Sequence, residues 1–157
     1  MTINAKQGGS VAGFADSAGA PVKVQSIRVT KDQLTTAKGS ALAANDVFYL
    51  MDIPAGTALS AVTCNVLTAA GGTLTLDIGD GTAADEWVDG ADATSTGYKA
   101  QGASGILSQT KVYAAADTLD LKIATESSST GNWEVEVLFM YAEYIGSPRA
   151  KSAKDVA

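Results

Sequence analysis

The chain has 157 residues, a formal charge of −6, 18% charged and 6% aromatic side chains, one cysteine and no histidine, a length that suits a single domain with its own core. Eleven Lys and Arg scattered through an acidic chain exclude the clustered cationic surface that duplex binding needs. A lone Cys64 excludes an internal disulfide, and the absence of histidine removes the usual general base, the commonest zinc ligand and every Ser-His or Cys-His constellation.

Residues 1–21, MTINAKQGGSVAGFADSAGAP, lack the apolar run of roughly 7 to 15 residues that a secretory signal carries. They form a Gly, Ala and Ser-rich arm in which Ile3, Val11 and Phe14 are spaced apolar anchors. Such a segment has no core of its own and is expected to be extended or mobile until a partner orders it. Val22 to Thr30 alternates and predicts a strand, with a change of face or a bulge near Ser26. Thr35 to Asn45, rich in Ala around Gly39, reads as a loop in preference to one helical turn. Val47 to Ile53 predicts a strand closed by the turn Pro54, Ala55, Gly56.

Leu59 to Thr68 alternates, with Val62, Cys64 and Val66 at strand spacing, so Cys64 reads as a small buried hydrophobe. Gly71 and Gly72 read as a hairpin turn into Thr73 to Ile78, which makes those strands antiparallel neighbours. Leu74, Leu76 and Ile78 give the second strand one apolar face.

The segment after Ile78 is an acidic, Gly-punctuated loop. Asp77, Asp80, Asp85, Glu86, Asp89 and Asp92 raise the question of calcium, but their spacing departs from the EF-hand: Gly comes one place early and the closing bidentate Glu is missing. Turn chemistry explains Asp and Gly there more simply. No feature selects two of the six carboxylates as an acid and base pair, and no Gly-Lys-Ser signature opens a helix to cradle phosphate. Trp87 in this loop is read either as a contact residue for a partner or as a lid folded back on the sheet.

Thr94 to Ser108 shows little periodicity, and Lys111 to Ala114 predicts a short strand. Thr118 to Thr125 alternates with Leu119, Leu121 and Ile123 inward. Across the turn Glu126 to Asn132 it is read as paired with a final strand, Trp133 to Tyr144. The apolar stretch Val135 to Tyr144 is broken by Glu136 and Glu143 and has half of the roughly 20 residues of a membrane helix. The tail 147–157 carries Pro148 and the basic residues Arg149, Lys151 and Lys154, a solvated or partner-ordered end.

About seven or eight strands joined by turns predict an all-β fold, an antiparallel β-sandwich or jelly roll. The extended N-terminal arm is 1–21, the sandwich domain 22–146 and the short C-terminal tail 147–157. Leu76, Ile78, Leu121, Ile123, Val135, Val137 and Phe139 are expected in the core. No catalytic, cofactor-binding or metal-binding residues are assigned. The candidate partner-binding residues are Ile3, Val11, Phe14 and Trp87.

Roughly residues 45 to 145 carry a family resemblance. Its telling pieces are the turn Asp52, Ile53, Pro54, Ala55, Gly56, the loop Gly79, Asp80, Gly81, Thr82 followed by Trp87, Val88, Asp89, Gly90, and the strand Asp117, Thr118, Leu119, Asp120, Leu121. These resemble the head decoration, or cement, proteins of tailed bacteriophages. The resemblance implies a β-sandwich or jelly roll, commonly trimeric, that sits over joints between capsid subunits. It implies a virion structural protein on the capsid exterior, assembled in the host bacterial cytoplasm, with the major capsid protein and its own copies in a homotrimer as partners, and no nucleic acid, membrane or cofactor. A tail or fibre component of the same virion has the same composition. A carbohydrate-binding β-sandwich is a third reading, suggested by Trp87 and Trp133.

Overall fold

A computed structural model describes residues 6–7, 22–99, 110–127 and 131–143. Among them run β1 (Lys6–Gln7), β2 (Val22–Thr30), α1 (Lys31–Lys38), β3 (Val47–Ile53), β4 (Thr57–Thr68), β5 (Leu74–Asp80), β6 (Val88–Asp92), β7 (Gly97–Lys99), β8 (Thr110–Val112), β9 (Asp117–Glu126) and β10 (Glu134–Glu143). They build two antiparallel sheets packed as a sandwich. One has the order β1-β2-β10-β4-β7 with β8 also on β4, and the other β3-β9-β5-β6.

Alternation along the strands supplies the core between the sheets. Leu76, Ile78, Leu121, Ile123, Val135, Val137 and Phe139 are each at most 1% exposed, as the period-two pattern predicts. In β4 the apolar residues change parity, from Leu59 to Val62, Cys64 and Val66, yet all four are buried. A register shift against β10 between Leu138 and Met140, with Ala61 at φ 51°, makes this a bulge that returns both sets to the core.

Two pairings expected from the sequence are not formed. β4 and β5 lie in different sheets, and so do β9 and β10. β5 pairs with β9, Ile78 opposite Leu121, and β10 pairs with β4, Val137 opposite Cys64. Gly71 and Gly72 sit in a connection that carries the chain from one sheet to the other, not in a tight hairpin. Alternation specifies an apolar face, and such faces meet across a sandwich as readily as they lie side by side in one sheet.

Three local readings also change. Residues 31–38 are helical: Thr30 Oγ1 accepts from Gln33 N (3.3 Å) while Gln33 Oε1 accepts from Thr30 N (2.9 Å), a reciprocal cap. Gly39, at φ 74°, closes the helix by donating its N–H to Thr35 O (2.9 Å), and Leu34 is fully buried beneath it. β2 pairs with β10 without a register shift, so Ser26 is not a bulge. β6 and β7 occupy segments that read as loop.

Candidate contact surfaces

Of the residues singled out in the sequence, Ile3, Val11 and Phe14 lie outside the described residues. Trp87 is only 4% exposed, so the ring takes the folded-back placement and is not a surface contact. The backbone explains why. Trp87 N donates to Ile78 O (2.9 Å) and Asp80 N to Ala83 O (2.8 Å), bending the loop onto β5. Gly79 makes this approach feasible, since a Cβ there would lie 2.1 Å from Ala83 O and 2.2 Å from the Ala84 carbonyl carbon.

Asp80 anchors the loop to the opposite sheet. Its Oδ1 accepts from Thr82 N (2.9 Å) and Ala83 N (3.0 Å). Its Oδ2 accepts from Lys111 Nζ (2.6 Å) and from the Tyr113 hydroxyl (2.8 Å). Burial raises the carboxyl pKa, but Lys111, the two amides and Tyr113 outweigh it and hold the group below the usual range. Tyr113 moves upward through burial and the adjacent carboxylate. Asp77 is committed as well, accepting from Gly90 N (2.9 Å) and Lys122 Nζ (3.1 Å). Among the described residues no three His, Cys, Asp or Glu converge as a metal site.

Asp120 differs. It is 4% exposed with Oδ1 unpartnered, and burial, with Asp117 and Asp80 nearby, raises its pKa despite a hydrogen bond from the Thr118 side chain.

The outer faces of the two sheets contrast. On the four-stranded sheet the outward residues include the Asp77–Lys122 ion pair and Thr75 bonded to Thr125 (2.7 Å). On the six-stranded sheet, outward positions of β2, β10, β4 and β8 fall into rungs. One holds Val22, Ala142, Ala58 and Val112; the next holds Val24, Met140, Ser60 and Thr110; a third holds Ser26, Leu138 and Thr63. These rungs carry no charge. Beyond them Arg28 pairs with Glu134 (2.9 Å), next to Glu136, Asn65 and Tyr98. Val24, Tyr98, Val112 and Met140 are four of the five large apolar side chains exposed among the described residues, at 37–68%.

At the side of the sandwich a groove of about 520 Å³ runs between β2 and β3, lined by Gln25, Leu50, Met51, Asp52, Pro54, Thr57 and Tyr141. Its lining offers one carboxylate, Asp52.

No protein-family description matches the chain. No curated protein matches it in sequence. Its fold does have counterparts in bacteriophage capsids. A chain of the cyanophage Pam1 capsid asymmetric unit superposes with a TM-score of 0.58 at 16% identity, over 84% of this chain and 91% of that one. A chain of the capsid of Ralstonia phage GP4 superposes with a TM-score of 0.53 at 17% identity, over 85% and 86%. At such identities the likeness is one of fold. These coverages also make each matched chain close to this one in size.

The sequence reading missed the outer face of the six-stranded sheet. Its signal was present, in Val22 and Val24 alternating with the inward residues of β2 and in Leu138 and Met140 opposite the inward residues of β10. Apolar residues on both faces of a strand mark a sheet with more than one surface to cover.

Proposed function

We propose that the chain is a structural component of a bacteriophage capsid, a decoration or cement protein that binds the outside of the head and stabilises the shell by contact alone. The observation that carries this reading is the fold shared, over most of both chains, with similarly sized chains of two phage capsids. A small sandwich suits an accessory role beside a larger shell protein, and the resemblance over residues 45–145 points the same way. The major capsid protein is the partner, and the proposed assembly is a homotrimer. Self-association around a closed axis would cover the edges of β3 and of β2 from Val22 to Ser26, which have no strand beside them among the described residues and otherwise invite unwanted pairing.

The carbohydrate-binding alternative loses its support, because Trp87 and Trp133 are 4% and 1% exposed and neither ring offers a platform to a sugar. The tail alternative is separated from the head by one fractionation. Tailless heads and free tails of the source virus are purified and probed for this chain. Recovery with heads in stoichiometric amount is the expected result; recovery with tails alone rejects the head assignment. Sedimentation of the purified protein tests the trimer.

A further inference from the structure

We infer that the uncharged part of the six-stranded sheet's outer face is the surface that seats the protein on the capsid shell, against a flat, uncharged protein surface. This rests on the capsid reading above and adds the face and the chemistry of its partner.

The face is built for a protein contact. Val24, Met140 and Val112 stand 38%, 37% and 51% exposed; Val24 and Met140 are cross-strand partners, and the small side chains of Ala58, Ala142 and Ser60 lie between that pair and Val112. Large side chains at intervals on a low, uncharged floor make a plane onto which another protein layer can pack, as sheets do at about 10 Å. Beyond it the same face carries Arg28, Glu134 and Glu136 beside Asn65 and Tyr98, so the uncharged part has a polar rim on one side, the anatomy of an interface.

Its area decides between a second copy and the shell. Eleven outward positions, on strands spaced about 4.8 Å apart and rungs about 6.7 Å apart, give at most roughly 350 Å², and Thr63 among them is itself buried. A stable pairwise interface needs about 800 Å² per partner, so this patch alone is too small to hold two copies together in solution. On a shell the shortfall is made up. A protein held simultaneously at several points by a fixed lattice gains effective concentration, and a weak patch becomes sufficient. An uncharged contact also binds independently of salt, unlike a rim of exposed ion pairs.

The test uses heads purified from the source virus lacking this gene and the full-length protein. Binding is measured for wild type, Val24→Asp, Val112→Asp, Met140→Lys and Tyr49→Lys. Tyr49 is 43% exposed on β3 of the other sheet, so its variant carries a matched charge on a surface not assigned to the shell. All four positions are exposed, and circular dichroism with an unfolding curve checks each fold. The expected result is binding weakened at least about tenfold by a charge on the patch, with Tyr49→Lys unchanged. Retention of wild-type affinity by both Val24→Asp and Met140→Lys overturns the assignment of this face. Loss of a solution oligomer in the Val24→Asp variant also overturns it, by making the face a self-contact. Failure of the wild-type protein itself to bind heads rejects the capsid reading on which the inference stands.

Discussion

Replacing Asp80 by Ala probes the junction that ties the loop 81–87, β5 and β8 together. The substitution removes the acceptor of four hydrogen bonds, from Thr82 N, Ala83 N, Lys111 Nζ and the Tyr113 hydroxyl. Tyr113 is 4% exposed, and a buried donor left without its acceptor costs about 1–3 kcal/mol. Lys111 keeps Glu86 at 3.6 Å and is 30% exposed in its side chain, so its share falls below the roughly 3–5 kcal/mol of a fully buried broken pair. The two loop amides can turn to water. Together these give a loss of about 3 kcal/mol, a large part of the roughly 5–15 kcal/mol of a typical domain. Urea unfolding should show a lowered midpoint with unchanged slope. Tyr113→Phe alone should cost about 1 kcal/mol and add almost nothing in the Asp80→Ala background. A loss below about 1 kcal/mol, or full additivity of the two changes, refutes the junction as described. The pH dependence follows from the depressed folded pKa of Asp80. Its contribution is complete above the unfolded value near 3.9 and disappears as pH falls through the lower folded value. The wild-type advantage over Asp80→Ala therefore persists at neutral pH and shrinks only in strong acid.

Asp120 should behave with the opposite sign. Its folded pKa is raised, so the charged carboxylate costs stability at neutral pH, and the cost fades as pH falls through the folded value toward about 3.9. Asp120→Asn should unfold at a higher temperature than wild type at pH 7, with the difference closing on acidification; a lower melting temperature at pH 7 contradicts this. Leu121→Ala, at a site 0% exposed between Phe48 and Ile78 in the sheet register, should lose about 2–5 kcal/mol in urea unfolding, and a loss under about 1 kcal/mol would mean that the sheets are not packed there. Burial pushes the Cys64 thiol up to about 12 against the pull of Lys99, so native protein at pH 8 should resist alkylation and react once denatured. Rapid labelling without denaturant would show that β4 opens.

Much of the sandwich was legible in the sequence because burial follows alternation, as in Leu119, Leu121 and Ile123 on β9 or Val135, Val137 and Phe139 on β10. Strand partners were not. The sequence between Thr68 and Leu74 contains two glycines whether the chain turns within a sheet or crosses to the other, and only the global packing of faces decides. The helix was recoverable from Thr30 and Gln33, spaced as a reciprocal cap, with Gly39 closing it; the Ala-rich composition downstream obscured that signal. The burial of Trp87 depends on Gly79 and on hydrogen bonds to Ile78 and Ala83, contacts that spacing alone cannot reveal. The uncharged outer face emerges only once β2, β10, β4 and β8 are known to be neighbours, since Val24, Met140 and Val112 are far apart in the chain.

A three-dimensional image reconstruction of the source virus head tests the central claim most directly. The expected result is β-sandwich density outside the shell, with the face bearing Val24, Met140 and Val112 turned toward the shell protein. A complete, mature head with no density for this chain on its outer surface would contradict it.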